Sequence, residues 1–133
     1  MHSADEFVRL HQSDCQSEYS RAVTDSATVD VWLDVIRRFP EMKVWVARNK
    51  TVPIEILLVL AGDHDSNVRV AVAMKNKLSE ELFTVLAGDA DESVRQRIAC
   101  NKNTPIHVLR RLSLDTSELV AAPARSRINK IAD

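Results

Sequence analysis

The chain repeats itself at a fixed interval, and this periodicity constrains its fold more than any other feature. A Val-Ala or Ile-Ala pair recurs at positions 46–47, 72–73 and 98–99, and a leucine recurs at positions 60, 86 and 112. Both recurrences have an interval of 26 residues, and the same interval aligns the chain without a gap from residue 40 to residue 120. A repeat of about 26 residues cannot bury its own apolar face, whereas stacked copies can. The sequence therefore predicts a chain of stacked, structurally equivalent repeats.

Each repeat is predicted to hold two short helices. The first helix begins near Pro53, Ser79 or Pro105 and places apolar residues at the i, i+1, i+4 spacing of one buried face. These apolar residues are Ile56, Leu57, Leu60, Leu82, Phe83, Leu86, Val108, Leu109 and Leu112. Gly62 and Gly88 are expected to end the first two of these helices.

The second helix of each repeat is predicted to begin after an aspartate. Asp65 and Asp91 are good N-cap residues, and apolar side chains follow them at the i, i+4, i+5 spacing of a helix. The apolar positions are Met42, Val46, Ala47, Val68, Val72, Ala73, Val94, Ile98 and Ala99. Asn76 and Asn101 are expected to stop the helix.

The composition agrees with an all-α fold. The 133 residues include two glycines, four prolines and 5% aromatic residues, which is too few for a turn-rich β-sandwich or barrel. We expect one domain over residues 1–133, with an N-terminal capping helix at 1–25, repeats at 28–122 and a C-terminal cap at 123–133. Pro123 falls inside the last helical segment and is expected to kink or split it.

The repeat resembles a known class of helical repeat protein. The pattern Leu-Ala-x-Asp-x-Asp-x-x-Val-Arg-x-x-Val-Ala is similar to HEAT-like repeats. The run Ile-Ala-Cys-Asn-Lys-Asn-Thr-Pro at 98–105, with its counterpart at 46–53, resembles the bacterial leucine-rich repeat variant. The middle repeat departs from this pattern, with Lys75 in place of Asn and Leu78-Ser79 in place of Thr-Pro. The resemblance covers residues 31–122 and implies a right-handed α-solenoid whose second helices line the inner surface.

The resemblance also implies a structural role for several charged residues. In HEAT-like repeats, an aspartate and an arginine six residues later form a ladder between neighbouring repeats. Asp63 with Arg69 and Asp89 with Arg95 have this spacing, and Lys43 occupies the arginine position of the first copy. We therefore expect these residues to hold the stack together rather than to bind a ligand.

Charge is unevenly distributed along a chain whose formal net charge is −1. Residues 1–30 contain six acidic and two basic residues. The loops after the second helices are basic, with Arg48, Lys50, Lys75, Lys77 and Lys102. Cations at these positions complement helix dipoles, although a row of them could also follow a phosphate backbone. The opposite helix ends are acidic, with Asp63, Asp65, Asp89, Asp91 and Glu92, and this two-ended distribution favours a protein partner over nucleic acid.

The second helices carry apolar residues at positions that are expected to face outward. The candidate partner-binding residues are Val44, Trp45, Arg48, Val70, Ala71, Met74, Gln96 and Arg97, with Cys100 at the matching position of the last copy. An outward stripe of Trp, Met and Val is typical of the core of a protein interface. The alternative is that the N-terminal helix or a neighbouring repeat covers Trp45, since tryptophan is also a frequent core residue. The sequence leaves both interpretations open.

The chain shows no sign of catalytic chemistry. It has no Gly-rich phosphate loop, no Cys-x-x-Cys pair and no His-Glu-x-x-His run, so we expect a non-enzyme without catalytic residues, metal, cofactor or small-molecule substrate. Its two cysteines are far apart, and neither a membrane span nor a secretory signal is evident. The sequence therefore predicts a cytoplasmic protein that does not contact a membrane.

These observations favour non-enzymatic binding of another protein on the concave face of the solenoid. The resemblance to small bacterial repeat proteins implies one specific role, an immunity protein that neutralises a toxin domain. Two alternatives remain. One is a HEAT-like nucleic-acid-binding or DNA-repair protein that uses the basic loop edge, and the other is a general scaffold or adaptor.

Overall fold

The structure is a computed structural model that describes residues 1–132, and every regular element in that range is a helix. This confirms the prediction of an all-α fold. The chain divides into two compact units, Met1–Gly62 and Asp63–Asp133. Each unit has its own set of helices, and the two are called the first and the second unit below.

The first unit contains five α-helices and one turn of 3-10 helix. They are α1 (Ala4–His11), α2 (Gln16–Thr24), α3 (Val29–Arg38), the 3-10 turn (Pro40–Met42), α4 (Lys43–Arg48) and α5 (Ile54–Ala61). Thr28 caps α3 because its hydroxyl oxygen accepts a hydrogen bond from the backbone N–H of Val31 at 3.3 Å. Threonine is one of the residue types that commonly cap the start of a helix in this way.

The N-terminal region forms two helices rather than the single capping helix that the sequence predicted. Ser13 lies in the turn between α1 and α2. Its hydroxyl oxygen accepts a hydrogen bond from the backbone N–H of Cys15 at 3.1 Å and donates one to the Glu18 carboxylate at 2.9 Å. A serine that bonds nearby backbone in this way offers the chain an alternative to continuing the helix. The turn at residues 12–15 follows from that competition.

Two aromatic side chains anchor α1 to α3. Phe7 and Trp32 are both fully buried, and their rings meet edge to face with centroids 5.3 Å apart. Aromatic pairs in this geometry contribute about 0.5–1.5 kcal/mol beyond the burial of their area. The Trp32 indole Nε1–H is the one fully buried side-chain polar atom without a hydrogen-bond partner among the described residues. Ring packing, rather than a polar contact, therefore fixes this tryptophan.

Asn49 ties the end of α4 to the end of α2. Its side chain is fully buried, and its amide nitrogen donates to the carbonyl oxygens of Ala22 at 2.9 Å and Asp25 at 3.0 Å. Its amide oxygen accepts from the backbone N–H of Thr51 at 2.8 Å. A buried amide with these partners fixes the loop after α4 because leaving any of them unmade carries a desolvation penalty.

The second unit contains five α-helices within the described residues. They are α6 (Ser66–Ala73), α7 (Glu80–Ala87), α8 (Glu92–Cys100), α9 (Ile106–Leu112) and α10 (Glu118–Ala132). Helix α8 packs against both α6 and α10, whereas α7 packs against α9. Helices α7 and α9 also contact α8. The second helices of the predicted repeats therefore pack on one another in this unit, and so do the first helices.

The core follows the predicted apolar periodicity. Every apolar position that the repeat assigned to the buried faces of the two helices is 8% exposed or less. Asp65 and Asp91 cap α6 and α8 as predicted, each accepting a hydrogen bond at 2.8 Å from the backbone N–H two residues later. Burial and capping residues together therefore set where these helices begin and which face they turn inward.

Gly62 and Gly88 end α5 and α7, as predicted. Their φ angles of −98° and −100° lie outside the left-handed region that glycine often adopts at a helix end. No residue in the described part of the chain has a positive φ angle. Glycine at position 88 has another consequence, since a Cβ atom there would lie 2.5 Å from the Arg111 guanidinium. Asn101 follows α8 with an extended backbone, φ −69° and ψ 122°.

Helix α10 contains Pro123 and is not split by it. The helix is continuous from Glu118 to Ala132. Proline lacks a backbone N–H, so the hydrogen bond from position 123 to the carbonyl four residues earlier is missing. The remaining hydrogen bonds of this 15-residue helix and the burial of Val120, Ala121 and Ala124 hold it together across the gap.

Candidate functional site

In the first unit, the predicted surface residues lie next to the N-terminal helices. Trp45 is half-buried, and its ring centroid lies 4.5 Å from that of His11 at the end of α1. The Arg48 guanidinium also lies over this tryptophan, 4.9 Å from the Trp45 ring centroid. Val44 is half-buried and Arg48 is exposed. Of the two interpretations of Trp45, the structure favours the one in which the N-terminal helix covers it.

In the second unit, the predicted surface residues divide into exposed and covered ones. Met74 is 52% exposed and Arg97 is also exposed, whereas Val70 and Gln96 are half-buried. The expectation that Ala71 faces outward is wrong, because its exposure is only 5%. Ala71 follows Val68 by three residues on α6, so the two share one helix face and both are buried.

The exposed residues of this set line a cleft at the C-terminal ends of α6 and α8, here called the α6–α8 cleft. It has a volume of about 360 Å³. Its lining residues are Ala73, Met74, Asn76, Arg97, Cys100, Asn101 and Lys102. Arg97 and Cys100 are three residues apart and therefore share a face of α8. Met74, Arg97 and Cys100 were placed on the outward surface by the repeat pattern, and the structure brings them together.

Asn101 ties the two helices that form the cleft. Its side-chain amide donates to the carbonyl oxygens of Ala73 at 3.2 Å and Lys75 at 2.7 Å, and its amide oxygen accepts from the backbone N–H of Asn103 at 3.0 Å. The Asn103 amide in turn donates to the Asn76 carbonyl oxygen. These contacts repeat the arrangement of Asn49 in the first unit. The sequence analysis predicted only that Asn101 stops its helix. The signal for the shared role was that Asn49 and Asn101 occupy matching positions in the aligned segments.

Arg127 on α10 supports the same end of α8. Its guanidinium donates to the backbone carbonyl oxygens of Asn101 and Lys102, the second at 2.7 Å. The carbonyl groups beyond the end of a helix are otherwise without intrahelical donors, and an arginine there satisfies them and complements the helix dipole. The cleft is therefore bounded by backbone that is already hydrogen-bonded.

The charged side chains that line the cleft are all cationic. Arg97 and Lys102 are both exposed, and the lining contains no carboxylate. Of the seven arginines of the second unit, five make hydrogen bonds through their guanidinium groups: Arg69, Arg95, Arg111, Arg125 and Arg127. Arg97 and Arg110 make none with residues 1–132. Next to the cleft, burial lowers the pKa of Lys75.

The charged pairs of the predicted ladder lie elsewhere in the second unit. The Arg69 guanidinium reaches the Asp89 carboxylate at 2.9 Å, and the Arg95 guanidinium reaches Asp115 at 2.8 Å. Each arginine also donates to the carbonyl oxygen of the aspartate six residues earlier, Asp63 at 2.7 Å and Asp89 at 2.8 Å. The hydrogen bonds from Arg95 hold the pKa of Asp115 below its usual range.

Asp115 was missing from the predicted set of ladder residues. Asp63, Asp89 and Asp115 are equally spaced in the sequence, each one repeat after the last. Extending the same offset one step further along the chain would have found it. All four side chains of the two pairs keep 17% exposure or less, so they are not available to a partner at the surface.

The first unit has a larger cavity of about 570 Å³, and three of the four charged side chains that line it are paired. Asp5, Arg9 and Glu18 are among its lining residues. Arg9 pairs with Glu18 at 2.7 Å, and Asp5 pairs with Arg38 at 2.9 Å. Unlike Arg97, these groups have protein partners. The α6–α8 cleft is therefore the stronger candidate for a binding site.

The described residues offer no group of three or more His, Cys, Asp or Glu side chains placed to hold a metal ion. Cys15 and Cys100 are both exposed free thiols.

Within residues 1–132, none of the helices combines the length and hydrophobicity needed to span a membrane.

Comparison with protein-family models, with curated proteins and with solved structures gave no match. The resemblance to HEAT-like repeats and to the leucine-rich repeat variant therefore stays a prediction from the residue pattern.

Proposed function

We propose that this protein is a non-enzymatic protein-binding module and that its contact surface includes the α6–α8 cleft. The observation that carries the proposal is the combination of an unengaged guanidinium, Arg97, with a largely exposed methionine, Met74, in one preformed cleft. Arginine and methionine are enriched in protein interfaces, whereas the other arginines around the cleft are used in internal contacts.

We also propose that the helix pairs are HEAT-like repeats, each of about 26 residues. The Arg69–Asp89 and Arg95–Asp115 pairs support this, since they make the same contacts one repeat apart. In such an arrangement the charged pairs stabilise the packing of successive helices, and the surface residues remain free to differ from repeat to repeat. The immunity-protein role stays a prediction, which a toxin gene beside this gene would support.

A photo-crosslinking experiment tests the binding proposal. A photoreactive amino acid is introduced at Met74 in one variant and at Val85 in another, and both are irradiated in the cells that produce the protein. Val85 is a matched control because it is an apolar residue of the same unit with 50% exposure, close to the 52% of Met74. Val85 does not line the cleft.

We expect a discrete protein adduct from the Met74 variant that is absent from the Val85 variant. Competition with excess unlabelled wild-type protein should remove this adduct. Adducts of equal yield at both positions, or adducts to nucleic acid at Met74, would contradict the proposed function.

A further inference from the structure

We propose that the α6–α8 cleft receives an acidic peptide segment of the partner protein. In this proposal Arg97 holds a carboxylate of the segment, and an adjacent apolar side chain packs against Met74. The inference rests on the proposed function, since it specifies the chemistry of the partner that the same cleft binds.

The charge of the cleft selects an anionic ligand. Its two charged lining residues, Arg97 and Lys102, are cations, and no carboxylate lines the cleft. Complementary charge of this kind favours a partner that carries carboxylates over a neutral or basic one.

The guanidinium of Arg97 is suited to a carboxylate in particular. Its planar fork of N–H donors matches the two oxygens of a carboxylate, and such bidentate pairs are among the strongest hydrogen-bonded contacts in proteins. This chain already uses that geometry twice, in the Arg69–Asp89 and Arg95–Asp115 pairs. Arg97 lies two residues after Arg95 on the same helix, but its own donors have no partner among residues 1–132.

The apolar part of the cleft explains why the proposed segment also needs an apolar side chain. Met74 is 52% exposed, and Ala73 and Cys100 line the cleft beside it. Methionine is unbranched and adapts its shape to different apolar partners, which makes it common on peptide-binding surfaces. A carboxylate followed or preceded by an aliphatic residue would engage both parts of the cleft at once.

The walls of the cleft are fixed before a ligand arrives. Asn101 ties α8 to the end of α6, and Arg127 is bonded to the carbonyl groups of Asn101 and Lys102. A preorganised site loses less conformational entropy on binding than a mobile one. The hydrogen bonds around the cleft therefore serve recognition as well as stability.

A nucleic acid fits this cleft less well than an acidic peptide. Binding of a phosphate backbone at physiological salt requires several phosphate contacts, and the cleft lining supplies two cations. The opposite ends of α6 and α8 carry Asp65, Asp91 and Glu92, which would repel an extended polyanion. A peptide segment needs only one or two carboxylates at the cleft, whereas a nucleic acid carries a charge at every nucleotide.

Fluorescence anisotropy with full-length protein and designed peptides tests the inference. Four labelled peptides of equal length, each of about 12 residues, are compared at about 0.15 M salt, where the Debye length is about 8 Å. One alternates leucine with aspartate and glutamate, a second replaces the acids by asparagine and glutamine, a third replaces them by lysine, and a fourth keeps the acids but replaces leucine by serine. A single-stranded DNA of matching length is the fifth probe.

We expect the acidic leucine peptide to bind at least about tenfold more tightly than each of the other four probes. Arg97→Gln should weaken its binding by about tenfold or more, and Met74→Ser should weaken it severalfold. Arg110→Gln is the matched control, since Arg110 is an exposed arginine of the same unit whose guanidinium makes no hydrogen bond with residues 1–132 and does not line the cleft. Circular dichroism establishes that each variant is folded.

Equal binding of the acidic and neutral peptides, tighter binding of the DNA, or equal losses in Arg97→Gln and Arg110→Gln would each overturn the inference. The two proposals can fail separately. A protein adduct at Met74 without acidic-peptide binding leaves the protein-binding function in place and rejects only the chemistry inferred for the partner. Absence of a Met74-specific adduct rejects the function itself.

Discussion

Arg69 and Arg95 each join three points of the chain with a single side chain. The guanidinium contacts a carboxylate 20 residues ahead and two backbone carbonyl groups five and six residues behind. The arginine and its carboxylate partner are both largely removed from solvent, with side-chain exposures of 17% and 10% in the Arg95–Asp115 pair. Removing one partner of such a pair leaves the other charge without compensation, which is more costly than the net value of the pair itself.

We therefore expect Arg95→Ala to lower the free energy of unfolding by about 2 kcal/mol, somewhat less than the loss for a fully buried pair because Arg95 keeps some exposure. Arg95→Lys should lose less, because the charge remains and only the forked geometry is lost. Urea unfolding followed by circular dichroism measures both changes. Arg110→Ala should stay within about 0.5 kcal/mol of wild type, because Arg110 is exposed and its guanidinium makes no hydrogen bond with residues 1–132. An Arg95→Ala loss no larger than this control would show that the pair does not stabilise the unit.

His11 gives the first unit a pH-dependent stability. Its ring lies among those of Phe7, Tyr19 and Trp45, with centroid distances of 6.5, 5.6 and 4.5 Å. Burial lowers its pKa from the ordinary value of 6.5. The unfolded chain therefore binds the proton more readily than the folded chain, so stability falls as the pH drops below about 6.5 and levels off once it passes the folded-state pKa.

The expected result is a lower unfolding temperature at pH 5.5 than at pH 7.5, measured by near-UV circular dichroism of the aromatic cluster. His11→Gln removes the titrating group and should reduce this difference. The pH range is chosen above the region where carboxylates such as Asp34 and Asp115 titrate, since their pKa values are lowered by arginine partners. An unchanged pH dependence in His11→Gln would refute the assignment to His11.

At the scale of the helices, the sequence predicted the buried faces but not all the ends. Apolar periodicity determines which face of a helix is buried, so positions such as Leu60, Leu86 and Leu112 could be assigned to the core. The turn at Ser13 and the ties made by Asn49 and Asn101 depend on side-chain hydrogen bonds to backbone distant in sequence or outside a helix. No periodic pattern reports such bonds, and the same residue types serve as ordinary caps elsewhere.

The candidate site residues were also predicted only in part. The outward positions of Met74, Arg97 and Cys100 followed from the repeat, whereas the burial of Ala71 and the covering of Trp45 by His11 did not. A small residue such as alanine is compatible with either a buried or an exposed face, so its type carries little information. The contact of His11 with Trp45 joins residues far apart in the sequence, which a local periodic pattern does not report.

Gly62 and Gly88 offer a matched test of whether a Cβ atom is tolerated at the ends of α5 and α7. Both have negative φ angles that alanine can adopt. A Cβ at position 62 would meet only the Val59 carbonyl oxygen at an ordinary 3.7 Å, whereas one at position 88 would lie 2.5 Å from the Arg111 guanidinium. We expect Gly62→Ala to raise the free energy of unfolding by about 0.5 kcal/mol, because the unfolded chain loses freedom.

Gly88→Ala should show no such gain while Arg111 is present, since that side chain must leave its hydrogen bond to the Thr84 carbonyl oxygen. In an Arg111→Ala background the Gly88→Ala change should behave like Gly62→Ala. Equilibrium unfolding of the two single variants and the double variant gives the coupling. Identical effects of Gly88→Ala with and without Arg111 would show that the close approach has no energetic consequence.

For the protein as a whole, the balance of charge distinguishes a protein partner from a nucleic acid. The formal net charge is −1, with 18 basic and 19 acidic residues. In the second unit, the exposed cations Lys77 and Lys102 lie beyond the C-terminal ends of α6 and α8, whereas aspartates cap the N-terminal ends of these helices. A net charge of this size disfavours binding to an extended phosphate backbone.

We expect no measurable binding of duplex or single-stranded DNA or RNA at about 0.15 M salt. Each neutralised phosphate would add a slope of about −0.9 to a plot of log K against log salt for duplex DNA. A fluorescence-anisotropy titration at several salt concentrations makes the measurement, with a Lys50→Glu, Lys77→Glu double variant as the control. Micromolar binding that this variant abolishes would replace the protein-partner proposal with a nucleic-acid function.

In the proposed repeat arrangement, the Arg–Asp pairs of the second unit would allow the chain to be lengthened. Because Arg69 and Arg95 reach forward by the same 20 residues and lie one repeat apart, duplicating the segment 90–115 would supply the new arginine with both its carbonyl acceptors and its carboxylate. The added segment would carry its own N-cap aspartate and its own Asn101 tie, and it would present a second copy of Arg97 and Cys100. In the proposed repeat arrangement, lengthening by whole repeats should therefore be tolerated where an insertion of half a repeat is not.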